Sequence, residues 1–220
     1  MSNPEITRPE DFDHVCFDLG GVLARICHTW GEVLTSRGLP AHAPVMEAGL
    51  SECPAFDLYQ MGGLELDAYL EQLGNYLGGL DRTQALAAHN GILLGPYPGT
   101  AELVRDLHLA DKTTGCISNT NAPHWQVMRY SGEYEAITSL QHPVVSHEVG
   151  MSKPEPEIYR FYAAALTCPA QRIVYFDDSE LNVRAARALG WNAHQIQAQG
   201  DPTDQMRRIL HLPCRPPSHS

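Results

Sequence analysis

Four short stretches of this 220-residue sequence carry acids, amides and an amine in places where they could do chemistry. The first is His14-Val-Cys-Phe-Asp18-Leu-Gly-Gly-Val-Leu23, an apolar run ending in an acid and two glycines, the form of a buried strand breaking into a tight turn. The others are Ser118-Asn-Thr-Asn121, Lys153 within Gly150-Met-Ser-Lys-Pro154, and the pair Asp177-Asp178. Each has a plain explanation when taken alone. Ser118-Asn119 suits an ordinary turn, Lys153 a solvated loop, and Asp177-Asp178 the cap of a following helix. Each also closes a run that reads as a strand, and ligands of an open parallel α/β sheet bind at the carboxyl ends of its strands. If the strands are parallel and adjacent, the four stretches meet on one rim.

The chemistry that fits such a meeting is transfer of a phosphoryl group onto Asp18. A carboxylate approaching a phosphate dianion is repelled, so cations and donors must offset the charge and hold the equatorial oxygens. Lys153 would neutralise one oxygen, and the Ser118 hydroxyl and Asn119 amide would donate to another. Asp178 with Asp18 would hold a hard divalent cation, most plausibly Mg²⁺, with Asp177 as a second carboxylate at or near it.

The elements that must position these groups follow from periodicity. Strands are expected at Thr113–Ile117, Pro143–Ser146, Arg172–Phe176 and Ala193–Ile196, with helices at Asn121–Tyr130, Pro156–Leu166 and Glu180–Leu189. A further helix opens at Pro98-Gly-Thr100 with Leu103, Val104 and Leu107 on its apolar face. Strand and helix in alternation predict an α/β fold with a Rossmann-like, doubly wound parallel sheet. The interval between the first two strands is too long for one crossover and has helical patterns of its own, so 25–95 is expected to be an inserted helical cap. The core then comprises 1–24 and 96–212, and the proline-rich 213–220 is expected to be a frayed tail.

A hydrophobic fraction of 43% supports a sizeable core, and a net charge of −11 argues against nucleic acid or an anionic membrane as partner. Phosphate must then be held by local cations, and the chain has only two lysines, Lys112 and Lys153. Six cysteines without C-x-x-C spacing read as reduced thiols, and 1–13 contains no apolar segment of signal or membrane length, so a cytoplasmic location is expected. The eleven histidines show no zinc-ligand spacing.

Phe17-Asp-Leu-Gly-Gly-Val-Leu23, Ile117-Ser-Asn-Thr-Asn121, Gly150-Met-Ser-Lys-Pro-Glu155 and Phe176-Asp-Asp-Ser179 with Asn182 together resemble the four motifs of the haloacid dehalogenase superfamily of hydrolases. The resemblance covers about 14–197. It implies Asp18 as nucleophile, Ser118 and Lys153 as phosphate binders, Asp178 as metal ligand with Asp177 beside it, and the main-chain carbonyl of Gly20 as a further ligand. The motif wording, with Tyr59-Gln-Met-Gly-Gly63, is most similar to the sugar-1-phosphate (glucose-1-phosphatase-like) branch, implying a small phosphorylated metabolite as substrate.

One departure stands out. Phosphatases of this superfamily usually carry a second aspartate two residues after the nucleophile, as proton donor and then base; this chain has Gly20. A lost acid/base removes about 10²–10⁴-fold in rate, which favours leaving groups that need little protonation, such as sugar 1-phosphates or aryl phosphates. The alternatives are a catalytically weak pseudo-phosphatase that binds a phosphorylated ligand or partner and a 2-haloacid dehalogenase, although the latter leaves Asp177-Asp178 unexplained. Arg25 and His28 stand at the expected cap hinge, and Phe56, Tyr59, His124 and Trp125 are candidates either for the pocket or for packing.

Overall fold

The computed structural model describes residues 9–40 and 43–213. Strand β1 (His14–Phe17) leads to the short β2 (Ala24–Ile26) and then to four helices: α1 (Trp30–Arg37), α2 (Pro54–Gln60), α3 (Leu66–Tyr76) and α4 (Arg82–Asn90). The chain returns through β3 (Leu93–Pro96) and continues with α5 (Thr100–Leu109), β4 (Thr113–Ser118), α6 (Ala122–Tyr130), α7 (Glu135–Thr138) and β5 (His142–Val145). It closes with α8 (Ser146–Val149), α9 (Pro156–Ala164), β6 (Ile173–Asp177), α10 (Glu180–Ala188), β7 (Asn192–Gln195) and α11 (Pro202–Ile209).

Five strands form one parallel sheet in the order β5-β4-β1-β6-β7, an α/β Rossmann-like arrangement with β1 at its centre. Register decides what the sheet presents. Phe17 lies opposite Cys116 on one side and Phe176 on the other, so Asp18, Ser118 and Asp177 leave the sheet at nearly one level. Alternation along β1 sends Val15 and Phe17 into a cluster with Leu103, Val104 and Leu107 of α5, and Cys16 into the opposite cluster with Tyr159, Tyr162 and Trp191. Both faces are covered, as a parallel sheet requires.

The helices between β2 and β3 pack around their own cluster, which includes Trp30, Leu34, Phe56, Tyr69, Leu70, Leu73 and Ile92. Local chemistry starts them. Thr29 and Glu32 form a capping box at α1, Asp81 and Gln84 another at α4, and Gly38 ends α1 in the left-handed conformation. The chain enters and leaves this segment through an antiparallel ribbon, Ala24 opposite Pro96 and Ile26 opposite Leu93.

The sequence reading did not expect that ribbon, because three- and four-residue strands carry too little alternation to register as a pattern. It also left α7, α8 and α11 unassigned. The first two are single turns, and α11 shows only Met206, Ile209 and Leu210 as apolar anchors among Asp, Gln and Arg. Apart from Pro213, the expected tail lies outside the described residues, as do residues 1–8 of the expected N-terminal core segment. Among the described residues, no helix is long and apolar enough to cross a membrane, and Cys16, Cys27, Cys53, Cys116 and Cys168 are free thiols.

Candidate active site

Asp18 is fixed by main chain on both sides. Its N–H donates to the Phe176 carbonyl at 2.7 Å, and the Leu19 N–H donates to its own Oδ1 at 2.7 Å. The following residues curl tightly, with the Leu23 and Ala24 N–H groups both donating to the Leu19 carbonyl. Gly21 sits in this curl at φ +74°, and a Cβ there would overlap the Asp178 carboxylate, so glycine is required at that place.

The four stretches converge around one ammonium. Lys153 Nζ lies 2.7 Å from Asp18 Oδ1 and 2.7 Å from Asp177 Oδ2, with its side chain 2% exposed. Oxygens of Asp18, Asp177 and Asp178 all fall within 4.8 Å of one another. One cation therefore pairs with two of three clustered carboxylates. Burial, offset in part by Lys153 and reinforced by Asp177 and Asp178, holds the Asp18 carboxyl above the usual carboxylate range. Asp178 is raised for the same reasons, burial first and Asp177 next. On Lys153 burial acts downward, but Asp177 and Asp18 outweigh it and hold the ammonium charged. A divalent cation suits this donor set, because the acids outnumber the local positive charge and hard oxygens are what such an ion takes.

The remaining expected residues take more specific places. Asn119 donates through Nδ2 to the Lys153 carbonyl at 2.9 Å and accepts from the Lys153 N–H at 2.8 Å, so its amide clamps the loop that carries the lysine. Asp177 is fully buried and accepts from Lys153 Nζ, the Tyr175 hydroxyl, the Ser179 N–H and Asn182 Nδ2. Its lone pairs orient the lysine, while Asp178, only partly buried, faces the rim. Ser118, 3% exposed, lies at the end of β4 and with Leu19, Gly20 and Asn119 lines a cavity of about 500 Å³. Tyr175 was not singled out from the sequence. The signal was present, since residues two apart on a strand share a face and Tyr175 precedes Asp177 by two.

Two seams join the helical insertion to the sheet layer beside this cavity. The Ser146 hydroxyl donates to the Gln60 carbonyl at 2.5 Å and accepts from the Thr120 N–H at 2.9 Å. His89 of α4 and His124 of α6 stack at 4.1 Å, with His89 Nε2 3.1 Å from Asn121 Oδ1 and His124 Nε2 2.9 Å from the His89 carbonyl. His124 lines the cavity and so does Phe56, whereas Tyr59 stacks on Tyr69 and Trp125 packs on the core.

Burial keeps these imidazoles neutral. His124 is pushed down to about 4 and His89 well below its ordinary value, as are His14, to about 3, and His194, to about 4. The unfolded chain protonates its histidines near pH 6.5 and the folded chain refuses those protons, so the stability involved is complete above that pH and is lost as pH falls toward 4. Asp18 and Asp178 have the opposite sign, which leaves the four imidazoles in the majority. Urea unfolding should therefore weaken by about 1.4 kcal/mol per pH unit for each net proton taken up, between pH 6.5 and 4.5. A flat profile over that window would contradict the buried neutral assignment.

A family model for haloacid dehalogenase-like hydrolases matches residues 12–190. The chain belongs to this family of hydrolases. Among curated relatives, a sesquiterpene phosphatase of Aspergillus oryzae is 25% identical over 183 residues, covering 81% of this chain and 87% of that protein. A drimenol cyclase of Aspergillus calidoustus is 26% identical over 98 residues, 44% of this chain but only 18% of that longer protein. In fold, a haloacid dehalogenase family enzyme from Bacteroides thetaiotaomicron, solved as a magnesium complex, superimposes with a TM-score of 0.73 at 22% identity, covering 90% of this chain and 99% of that one. The same enzyme has been solved with magnesium and inorganic phosphate.

Proposed function

We propose that this hydrolase is a Mg²⁺-dependent phosphomonoesterase in which Asp18 accepts the phosphoryl group. The observation that carries the reading is the buried lysine shared between Asp18 and Asp177, with Asp178 completing the group of three acids. Asp18 Oδ1 is engaged by the Leu19 N–H and Lys153, which leaves Oδ2 as the attacking oxygen. Lys153 and the Ser118 hydroxyl hold phosphate oxygens as charge gathers on them. Asp177 and Asn119 position Lys153 from either side. Asp18 and Asp178, with the Gly20 carbonyl, would hold Mg²⁺, which when bound offsets the repulsion between carboxylate and phosphate.

Attack forms a bond from Asp18 to phosphorus and breaks the ester P–O bond, and the alcohol leaves with a proton from water because residue 20 offers none. A second water then cleaves the acyl phosphate, releasing inorganic phosphate and restoring Asp18. The sesquiterpene phosphatase relative and the phosphate complex of the structural neighbour support this ester chemistry. A small phosphorylated metabolite as substrate, a cytoplasmic setting suited to the free thiols among the described residues, and a helical cap over the site belong to the same reading.

Phosphate release from a panel of aryl, sugar 1-phosphate and alkyl esters, with Mg²⁺ or with EDTA, tests the proposal. Turnover should need the metal and fall by at least about 10³-fold in Asp18→Asn, since the amide cannot form the acyl phosphate. Turnover that is unchanged in that variant, or independent of metal, would overturn the reading. Phosphate-analogue binding with no turnover would instead identify a pseudo-phosphatase.

A further inference from the structure

Taking the phosphomonoesterase reading as its basis, we infer that the non-phosphate part of the substrate is a hydrocarbon, an apolar alcohol or phenol, and not a sugar. The cavity beside Asp18 lies between two hydrophobic clusters and takes its wall from both. Leu19 and Met128 belong to the cluster on the sheet, Phe56 and Ile92 to the cluster of the inserted helices, and Ile26 and Leu50 pack against the latter. Its volume of about 500 Å³ falls within the usual range for a pocket that buries a small organic molecule.

Apolar side chains make up most of the wall, and part of the polar lining is already paired. Both ring nitrogens of His124 are paired, with Asn121 and with the His89 carbonyl. The Ser51 hydroxyl donates to Asp57, Glu52 accepts from the Gly49 N–H, and the Asn119 amide is held by Lys153. A hexose brings several hydroxyls against this mostly apolar wall, where they lose water and find few partners. A hydrocarbon loses nothing of the kind and gains with every methylene buried. Glycine at position 20 belongs to the same design, because Gly20 lines the cavity and a carboxylate there would put a charge on an apolar wall.

Two homologous series separate this inference from the reading beneath it. The first is binding of n-alkylphosphonates from ethyl to decyl to the Mg²⁺-loaded protein by calorimetry, which needs no turnover. The dissociation constant should fall roughly fourfold per methylene until the cavity is full and then level off. The second is kcat/KM for 4-n-alkylphenyl phosphates, whose leaving group stays constant while the chain grows. It should rise with chain length, and glucose 1-phosphate should fall below the longer members. Leu50→Asn, at a half-buried wall position, should flatten both slopes, with a melting curve to show that it folds. Length-independent phosphonate binding, or a preference for glucose 1-phosphate, overturns the inference while leaving phosphatase activity in place. Length-dependent binding with no hydrolysis of any ester upholds the hydrocarbon pocket and overturns the hydrolytic reading.

Discussion

Lys153→Met should lower phosphate release by about 10³-fold or more and destabilise the fold by about 3–5 kcal/mol, the largest combined effect expected of any single change here. Among the described residues the lysine is the one ammonium within reach of Asp18 and Asp177, at 2.7 Å from each. Removing it leaves two buried carboxylates facing each other with Asp178 beside them. Part of that cost would be avoided by protonating Asp18, whose carboxyl is already held above the usual range. A protonated carboxyl does not attack phosphorus, so the acid limb of the pH–rate profile should move to higher pH in the variant. Asp18→Asn provides the contrast: it should lose turnover as completely but keep a neutral partner beside the ammonium, with less loss of stability. Steady-state kinetics with urea unfolding on both variants would show the difference. A Lys153→Met protein within tenfold of wild-type activity would remove the lysine from the mechanism.

Gly20→Asp should act in the opposite direction. Gly20 does not occupy the left-handed backbone region, and an added Cβ would meet Ile26 Cδ1 at 2.9 Å, the movable end of a flexible side chain. Aspartate therefore fits without remaking the loop, unlike any side chain at the neighbouring Gly21. With a proton donor restored two residues after the nucleophile, turnover of alkyl phosphates should rise about 10²-fold or more, because their alkoxides leave poorly without one. Aryl phosphates should gain less than about tenfold, since phenolates need little help. The same carboxylate would stand in the apolar cavity, so affinity for long-chain phosphonates should weaken. Equal gains on both ester classes, or none, would show that leaving-group protonation does not limit this enzyme.

Much of this site could be read from residue order, because a parallel sheet converts sequence into geometry. Once Asp18, Ser118 and Asp177 are placed at strand ends, register alone brings them level, and Lys153 follows from its loop. What could not be read was how each polar group divides its hydrogen bonds. Asn119 read as a phosphate donor; that its amide also pairs with the main chain of Lys153 is a contact between residues far apart in sequence. Asp177 read as a carboxylate at or near the metal, and it does group with Asp18 and Asp178; what sequence did not show is that Tyr175, Asn182 and Ser179 hold it as the partner of the lysine. The cavity was the least legible feature. Leu50, Ile92 and Met128 look like ordinary core residues, and only the packing of one hydrophobic cluster against another shows that a space is left between them.

The ribbon of β2 and β3 has a consequence for how such a protein can change. Because Ala24 lies opposite Pro96, the points at which the chain departs from the sheet layer and rejoins it are neighbours. Anything strung between them, whether a two-residue turn or a different bundle, meets the same pair of anchor points and leaves the strand order as it was. The acids and lysine at the strand ends and the share of the cavity wall that the insertion supplies therefore lie on separate stretches of the chain. A different insertion at this junction would change that share of the wall and leave the strand ends where they are.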